Sequence, residues 1–168
     1  MNDFLTMIFS GFNLAILGVA VATFLAGMGS AKGVNLVGKA TAGLLSEDPS
    51  KFGKALLLQA LPMTQGLYGF ITAFMIIVKL GLLSAGFNPA SVSFAQGMYY
   101  LTAALPIGIV GLYSGIKQGE VAASGISLIA KRPNEVAKAI TSAALVETYA
   151  IFAVLISLLL ILFAPAFA

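Results

Sequence analysis

Ala139-Ile-Thr-Ser-Ala-Ala-Leu-Val-Glu-Thr-Tyr-Ala-Ile-Phe-Ala-Val-Leu-Ile-Ser-Leu-Leu-Leu-Ile-Leu-Phe-Ala164 is an apolar run with one charged member, Glu147. Roughly 20 apolar residues suffice to cross the hydrocarbon core of a bilayer. The run therefore reads as a membrane-spanning helix with an acid inside it. A carboxylate at that depth costs at least about 2.5–3.5 kcal/mol on insertion scales and marks a functional site by default.

The rest of the chain repeats the pattern. Of 168 residues, 60% are hydrophobic and 9% charged, against about a quarter charged in soluble domains. The charges are clustered. Asp3 to Lys32 encloses 28 uncharged residues, Lys54 to Lys79 encloses 24, and Lys79 to Lys117 encloses 37. Each gap holds one spanning helix. The longest also holds a connection, marked by Gly86, Asn88, Pro89 and Ser91. The fold predicted is an all-α membrane protein of four transmembrane helices, at about 8–46, 50–83, 92–130 and 133–164. They form two helical hairpins, residues 1–84 and 85–168. At about 1.5 Å per residue the helices exceed the ~30 Å hydrocarbon core, so the hairpins project beyond it on one side.

Met1-Asn2-Asp3 lacks the basic start of a signal peptide, and the apolar run after it is too long for one, so the first helix is expected to remain in the mature protein. With no Cys and no His, disulfides, thiol chemistry, haem and most transition-metal sites are excluded. The net charge of +3 sits in loops that flank helices, which gives no nucleic-acid signature. Lys51 and Lys54 in one loop, and Lys131, Arg132 and Lys138 in another, place both loops in the cytoplasm by the positive-inside rule. The uncharged 80–96 connection and both termini then lie outside.

The hairpins look like one unit duplicated. Gly29-Ser-Ala-Lys-Gly33 resembles Gly115-Ile-Lys-Gln-Gly119. Ser46–Ser50 answers to Lys131–Glu135, and Gln65 answers to Glu147. Both copies keep the same orientation, unlike the inverted repeats of many transporters. Small residues recur at helical spacing in helix 1 (Gly11, Ala15, Gly18, Ala22, Gly29, Gly33) and helix 3 (Ala104, Gly108, Gly111, Gly115, Gly119, Ala122). They permit close backbone approach in lipid. Helices 2 and 4 carry Leu67, Tyr68, Phe70, Phe74, Phe152 and Leu158–Leu160 instead. Side-by-side copies would put the small-faced helices on an inner circle and the large-faced ones towards lipid. The same pattern also fits tight packing within a single bundle.

Counting from the charged loops sets depth. Pro133 to Glu147, Gln118 to Lys131 and Pro49 to Gln65 are similar intervals along their helices. At about 1.5 Å per residue, all three side chains stand about 20–24 Å from the loops. Thr64 precedes Gln65, and Tyr68 lies one turn beyond it. Pro62 lacks an N–H and disturbs a backbone carbonyl near Leu58–Leu61. One carboxylate, two amide oxygens, a hydroxyl and a carbonyl make an all-oxygen set for a hard cation. A single negative charge matches a monovalent one, Na⁺, whereas H⁺ would need only the carboxylate. Amides and hydroxyls can equally hold a protonated Glu, so both ions remain open here. Lys32 and Lys117 fall at the same depth. Lys79 is expected to snorkel to the far interface, and Glu120 to pair with Lys117.

Leu61-Pro-Met-Thr-Gln-Gly-Leu-Tyr-Gly-Phe70, Gly115-Ile-Lys-Gln-Gly-Glu-Val-Ala-Ala123 and Leu145-Val-Glu-Thr-Tyr-Ala-Ile151 together resemble the duplicated proteolipid (K or c) of V-type ATPases. The sodium-pumping bacterial form is the nearest match. The resemblance spans nearly the whole chain. It implies a homo-oligomeric ring of identical copies in a bacterial plasma membrane. The ring turns against a stator subunit bearing a basic residue, and a central stalk grips its cytoplasmic loops. It implies a Na⁺ site of the Leu61 carbonyl, Thr64, Gln65, Gln118 and Glu147, with Tyr68 hydrogen-bonded to the carboxylate. It also implies a subunit without a catalytic centre of its own. The rivals are the same rotor moving H⁺, a self-standing channel or transporter, and a structural scaffold.

Overall fold

The computed structural model describes residues 8–167, so the reading of Met1-Asn2-Asp3 lies outside it. Four helices are long and apolar enough to cross a membrane: Gly11–Glu47, Pro49–Leu80, Phe94–Lys131 and Pro133–Leu162. Helix α1 (Gly11–Glu47) starts at Ser10, whose hydroxyl accepts the Asn13 N–H at 3.3 Å. After a 3₁₀ turn at Pro49–Lys51, the second span divides into α2 (Phe52–Ala60) and α3 (Thr64–Leu80). The break is a 3₁₀ turn, Leu61–Met63, built around Pro62, as the missing N–H demands. The expected continuation to residue 83 stops at Leu80, because Gly81 adopts φ 71° and caps the helix with a left-handed residue. Helix α4 (Phe94–Lys131) starts at Ser93, whose hydroxyl accepts from Gln96 N–H. A 3₁₀ turn at Pro133–Glu135 leads into α5 (Val136–Leu162).

Both charged loops lie at one end of the bundle. Lys51 Nζ donates to the Ala130 carbonyl at 2.8 Å and Lys54 Nζ to the Pro133 carbonyl at 2.9 Å. At the other end Lys79 Nζ donates to the Leu162 carbonyl at 3.1 Å. The lysine expected to reach the interface thus also closes the last turn of α5. The hairpins therefore share one orientation.

The glycines explain how the hairpins join. A Cβ on Gly29 would stand 2.5 Å from the Leu112 carbonyl oxygen. One on Gly115 would stand 2.7 Å from the Gly29 carbonyl carbon. Gly33 and Gly119 would likewise meet backbone across the seam. The small residues of α1 and α4 thus form a seam inside one chain. Away from that face the same two helices also carry large side chains: Phe24 and Tyr113 are 65% and 69% exposed. Phe70, Phe74, Phe152 and Leu159 project outward from the second and fourth spans, as expected for lipid-facing residues.

The core has two apolar clusters. One lies toward the charged loops, with Val37, Leu58, Ala122, Ile126 and Ala143. The other lies toward the opposite end, with Ala22, Ala73, Ile76, Ile107 and Ala153. The residues between them in sequence on α3, α4 and α5 include Gln65, Gln118 and Glu147. A polar layer is enclosed between two dry ones.

Candidate ion-binding site

The local backbone at Pro62 sets up one wall of the site. The 3₁₀ turn brings the Leu61 carbonyl onto Thr64, whose N–H and hydroxyl both donate to it, the hydroxyl at 3.0 Å. Thr64 Oγ1 is also 3.4 Å from Gln65 Oε1. Three oxygens of the second span are therefore neighbours before any other helix is counted.

Helix α4 contributes the bridge. Gln65 and Gln118 are both fully buried. Gln65 Nε2 donates to Gln118 Oε1 at 2.6 Å, and Gln118 Nε2 donates to Glu147 Oε2 at 3.3 Å. On the other carboxylate oxygen, the Tyr68 hydroxyl donates to Oε1 at 2.7 Å. All six residues singled out from the sequence, Leu61, Thr64, Gln65, Tyr68, Gln118 and Glu147, belong to this one connected set. The carboxylate touches Tyr68 and Gln118 directly, while Leu61, Thr64 and Gln65 connect to it through Gln118.

One participant was not anticipated. Ser114, buried on α4, accepts from Gln65 Nε2 at 3.2 Å and donates to the Val146 carbonyl at 3.1 Å. It thereby holds Gln65 against α5 at the residue next to Glu147. Its signal was its place one turn before Gln118. That signal was hidden because Ser114 also lies among Gly108, Gly111 and Gly115, where a serine reads as one more small packing residue.

The electrostatics follow from the partners. Glu147 accepts from an O–H and an N–H, an arrangement that suits an anion. Among the described residues no Lys or Arg pairs with it; the ion pairs are Lys51–Asp48, Lys117–Glu120 and Lys138–Glu135. The Lys117–Glu120 pair, at 2.9 Å, is the one expected from the sequence. Glu147 is half-buried. Among the described residues its charge has no protein counter-charge, and a bare charge in a bilayer is costly.

The family described as the C subunit of ATP synthase matches the chain twice, over residues 17–76 and 101–160. The chain is 49% identical over 162 residues to the V-type sodium ATPase subunit K of Enterococcus hirae, covering 96% of this chain and 99% of that protein. It is 38% identical over 148 residues to the A-type ATP synthase subunit K of Methanocaldococcus jannaschii, covering 88% of this chain and 61% of that one. Two matched repeats, one per hairpin, and a near full-length relative establish that the chain belongs to the ATP synthase C-subunit family, in its duplicated form.

Proposed function

We propose that this chain is the rotor-ring subunit of a V-type ATPase and carries Na⁺ across the membrane on Glu147. The observation that carries the reading is the carboxylate itself. It receives donors from Tyr68 and Gln118, pairs with no Lys or Arg among the described residues, and adjoins a cluster of neutral oxygens on Leu61, Thr64, Gln65 and Gln118. The sodium ATPase named among its relatives supports the choice of cargo.

The ion is the transported substrate, bound by the Leu61 carbonyl and the side chains of Thr64, Gln65, Gln118 and Glu147. Tyr68 steadies the carboxylate. Identical copies form the ring, in the plasma membrane of a bacterium. The charged loops near 46–50 and 131–135 face the cytoplasm, where central-stalk subunits grip them, and both termini face outward. Residues 1–84 and 85–168 act as the two duplicated units. A copy facing the stator exchanges its ion with an aqueous half-channel, and a basic stator residue favours release by pairing with bare Glu147. A reloaded site is neutral and passes through lipid without the cost of a naked charge. ATP hydrolysis belongs to other subunits.

Carbodiimide labelling of Glu147 tests the cargo. At fixed pH, added Na⁺ should slow labelling in proportion to site occupancy. Equal labelling with and without Na⁺ would replace the sodium reading with the proton one.

A further inference from the structure

Helix α4 has a proline inside it, Pro106, and the buried face of α5 carries a single polar residue, Ser157. Ser157 is fully buried, on the same face as Ala153, Val154 and Ile161. The two features meet: the Ile107 N–H donates to Ser157 Oγ at 3.3 Å. A buried hydroxyl is costly without a partner, and this one lies roughly 15 Å along α5 from Glu147.

We infer that Ser157 is a positioning residue for the ion site. By holding the Ile107 N–H beside Pro106, it sets where α5 carries Glu147 against Gln118. The inference rests on the reading of Glu147 as the ion-carrying group, and it adds a residue outside the ligand set that acts on that group.

The proline accounts for the bond. Pro106 has no N–H to offer the Thr102 carbonyl, and its ring crowds that carbonyl. The ladder of α4 is loosened at this turn, and the next donor in line, the Ile107 N–H, reaches out of the helix to Ser157. A side chain inserted at an interrupted turn satisfies the backbone and ties two helices together.

Of the two helices tied, α4 is the fixed one. A Cβ on Gly111, Gly115 or Gly119 would come within 2.9 Å of an α1 atom, so α4 is locked into the seam. Helix α5 contains neither glycine nor proline. It has no such seam and no hinge, so Ser157 and Glu147 move as parts of one rod. Two buried hydroxyls pin that rod to α4: Ser157 on the Ile107 N–H, and Ser114 on the Val146 carbonyl at 3.1 Å. A third bond, from the Tyr99 hydroxyl to the Leu160 carbonyl, is exposed near the helix end. Ser114 and Gln118 both lie within about 20° of Ile107 around α4. The upper pin and the site residues are therefore in line along one face.

The contact that feels the pin is Gln118 Nε2 to Glu147 Oε2, at 3.3 Å. That is near the long end of N–H···O bonds, and a few tenths of an ångström more opens it. The first hairpin has neither member of the device. At the offset that relates Gly29 to Gly115, Pro106 answers to Ala20; at the offset that relates Gln65 to Glu147, Ser157 answers to Met75. Proline and serine occur together in the hairpin that carries the acid.

Equilibrium Na⁺ binding to purified rings tests this with the unsubstituted chain, Ser157→Ala, Pro106→Ala and the double variant. Ser157→Ala should form rings but bind Na⁺ about fivefold more weakly, as when one hydrogen bond at the carboxylate opens. Pro106→Ala restores an N–H at 106 and draws Ile107 back into the helix, so it should weaken binding as well. Both act through the one Ile107 bond, so the double variant should bind no more weakly than the weaker single variant. Losses that multiply would overturn the inference. So would unchanged affinity in Ser157→Ala, even with rings that melt earlier, because Ser157 would then serve packing alone. Unsubstituted rings that bind no Na⁺ would sink the sodium reading instead. Carbodiimide labelling of Glu147 without Na⁺ then compares the same chains. Loosened from Gln118, the carboxyl should label faster in Ser157→Ala, and equal rates would overturn the positioning role.

Discussion

The two hairpins share their direction and seam glycines, yet only the second keeps an acid. At the offset that relates Gln65 to Glu147, Leu61 answers to Ala143, Pro62 to Ala144, Thr64 to Val146 and Tyr68 to Ala150. The first hairpin thus supplies a broken helix, a hydroxyl and a phenol where the second has plain aliphatic helix, and an amide where the second has its acid. The inner helices diverge in the opposite sense. At the offset that relates Gly29 to Gly115, Gln118 answers to Lys32 and Ser114 to Met28. The residues proposed as ligands are therefore split across the duplication: the second span of one hairpin faces α4 and α5 of the other, and the carboxylate lies where they meet. Duplication has freed each copy to lose what the other retains. The outcome is one site carboxylate per four helices, enclosed by groups drawn from both halves.

Exchanging the two residues breaks the comparison most severely. Glu147→Gln alone should reduce Na⁺ binding and transport by roughly 100-fold or more, since the site's one charge is gone. Adding Gln65→Glu restores the charge count but not the function. Residue 65 is fully buried, and its Nε2 donates to Gln118 Oε1. A carboxylate there would set oxygen against oxygen and lie out of Tyr68's present contact. Radioactive-sodium binding to purified rings measures both variants. Recovery of binding in the double exchange would mean that the hairpins are interchangeable after all.

How much of this was legible beforehand depends on the coordinate in question. Depth was legible: a rise of about 1.5 Å per residue, counted from Pro49, Lys131 and Pro133, put Gln65, Gln118 and Glu147 on one level. They share one hydrogen-bonded set. The fold followed from the charge-free gaps. The Pro62 break was anticipated in kind, though not its form, a 3₁₀ turn handing the Leu61 carbonyl to Thr64. Azimuth was less legible. Which way each helix turns is fixed by the seam, where Gly29, Gly33, Gly115 and Gly119 press backbone on backbone, and a one-dimensional pattern holds only half of that contact. Ser114 was missed for this reason, since its role depends on facing α5 rather than α1. The end of α3 at Leu80 was set by Gly81 against a run that stayed apolar to Leu83.

The phenol sharpens the comparison at intermediate size. Tyr68 has Ala150 as its counterpart, so Tyr68→Phe makes the first hairpin more like the second with little change in bulk. The hydrogen bond removed is 2.7 Å long and ends on a carboxylate. Bonds to charged groups contribute about 1.5–3 kcal/mol, so Na⁺ affinity should fall about 10- to 100-fold. Helical content and ring assembly should be unchanged. Ser114→Ala tests the inner helix in the same way. It removes two neutral hydrogen bonds, to Gln65 and to Val146, but leaves Gln65 its bond to Gln118. An effect of about 1 kcal/mol, roughly a fivefold loss of Na⁺ affinity, is expected. No loss at all would assign Ser114 to packing alone.

The smallest effect concerns the loops, where the hairpins differ outside the membrane. Asp48 caps the turn at Pro49–Lys51, its side chain accepting from Ser50 N–H at 3.1 Å and from the Ser50 hydroxyl. The corresponding turn at Pro133–Glu135 has Arg132 at that place and no side-chain cap. The Ser50 hydrogen bond foremost, then Lys51, holds the Asp48 carboxyl below its ordinary value of 3.8. A depressed carboxyl contributes stability that is present above its unfolded pKa and is lost as pH falls through the folded one. The first loop should therefore loosen below about pH 4, while the second, without such a carboxyl cap, should not. Asp48 lies at the surface with its side chain partly exposed, so the change should be local and small. Amide exchange at Ser50 and Lys51, compared with Asn134 and Glu135 across that range, measures it. Asp48→Ala should remove the pH dependence from the first loop and leave the second as it was. Equal loosening of both loops in the unsubstituted protein would mean that the cap does not distinguish the two hairpins.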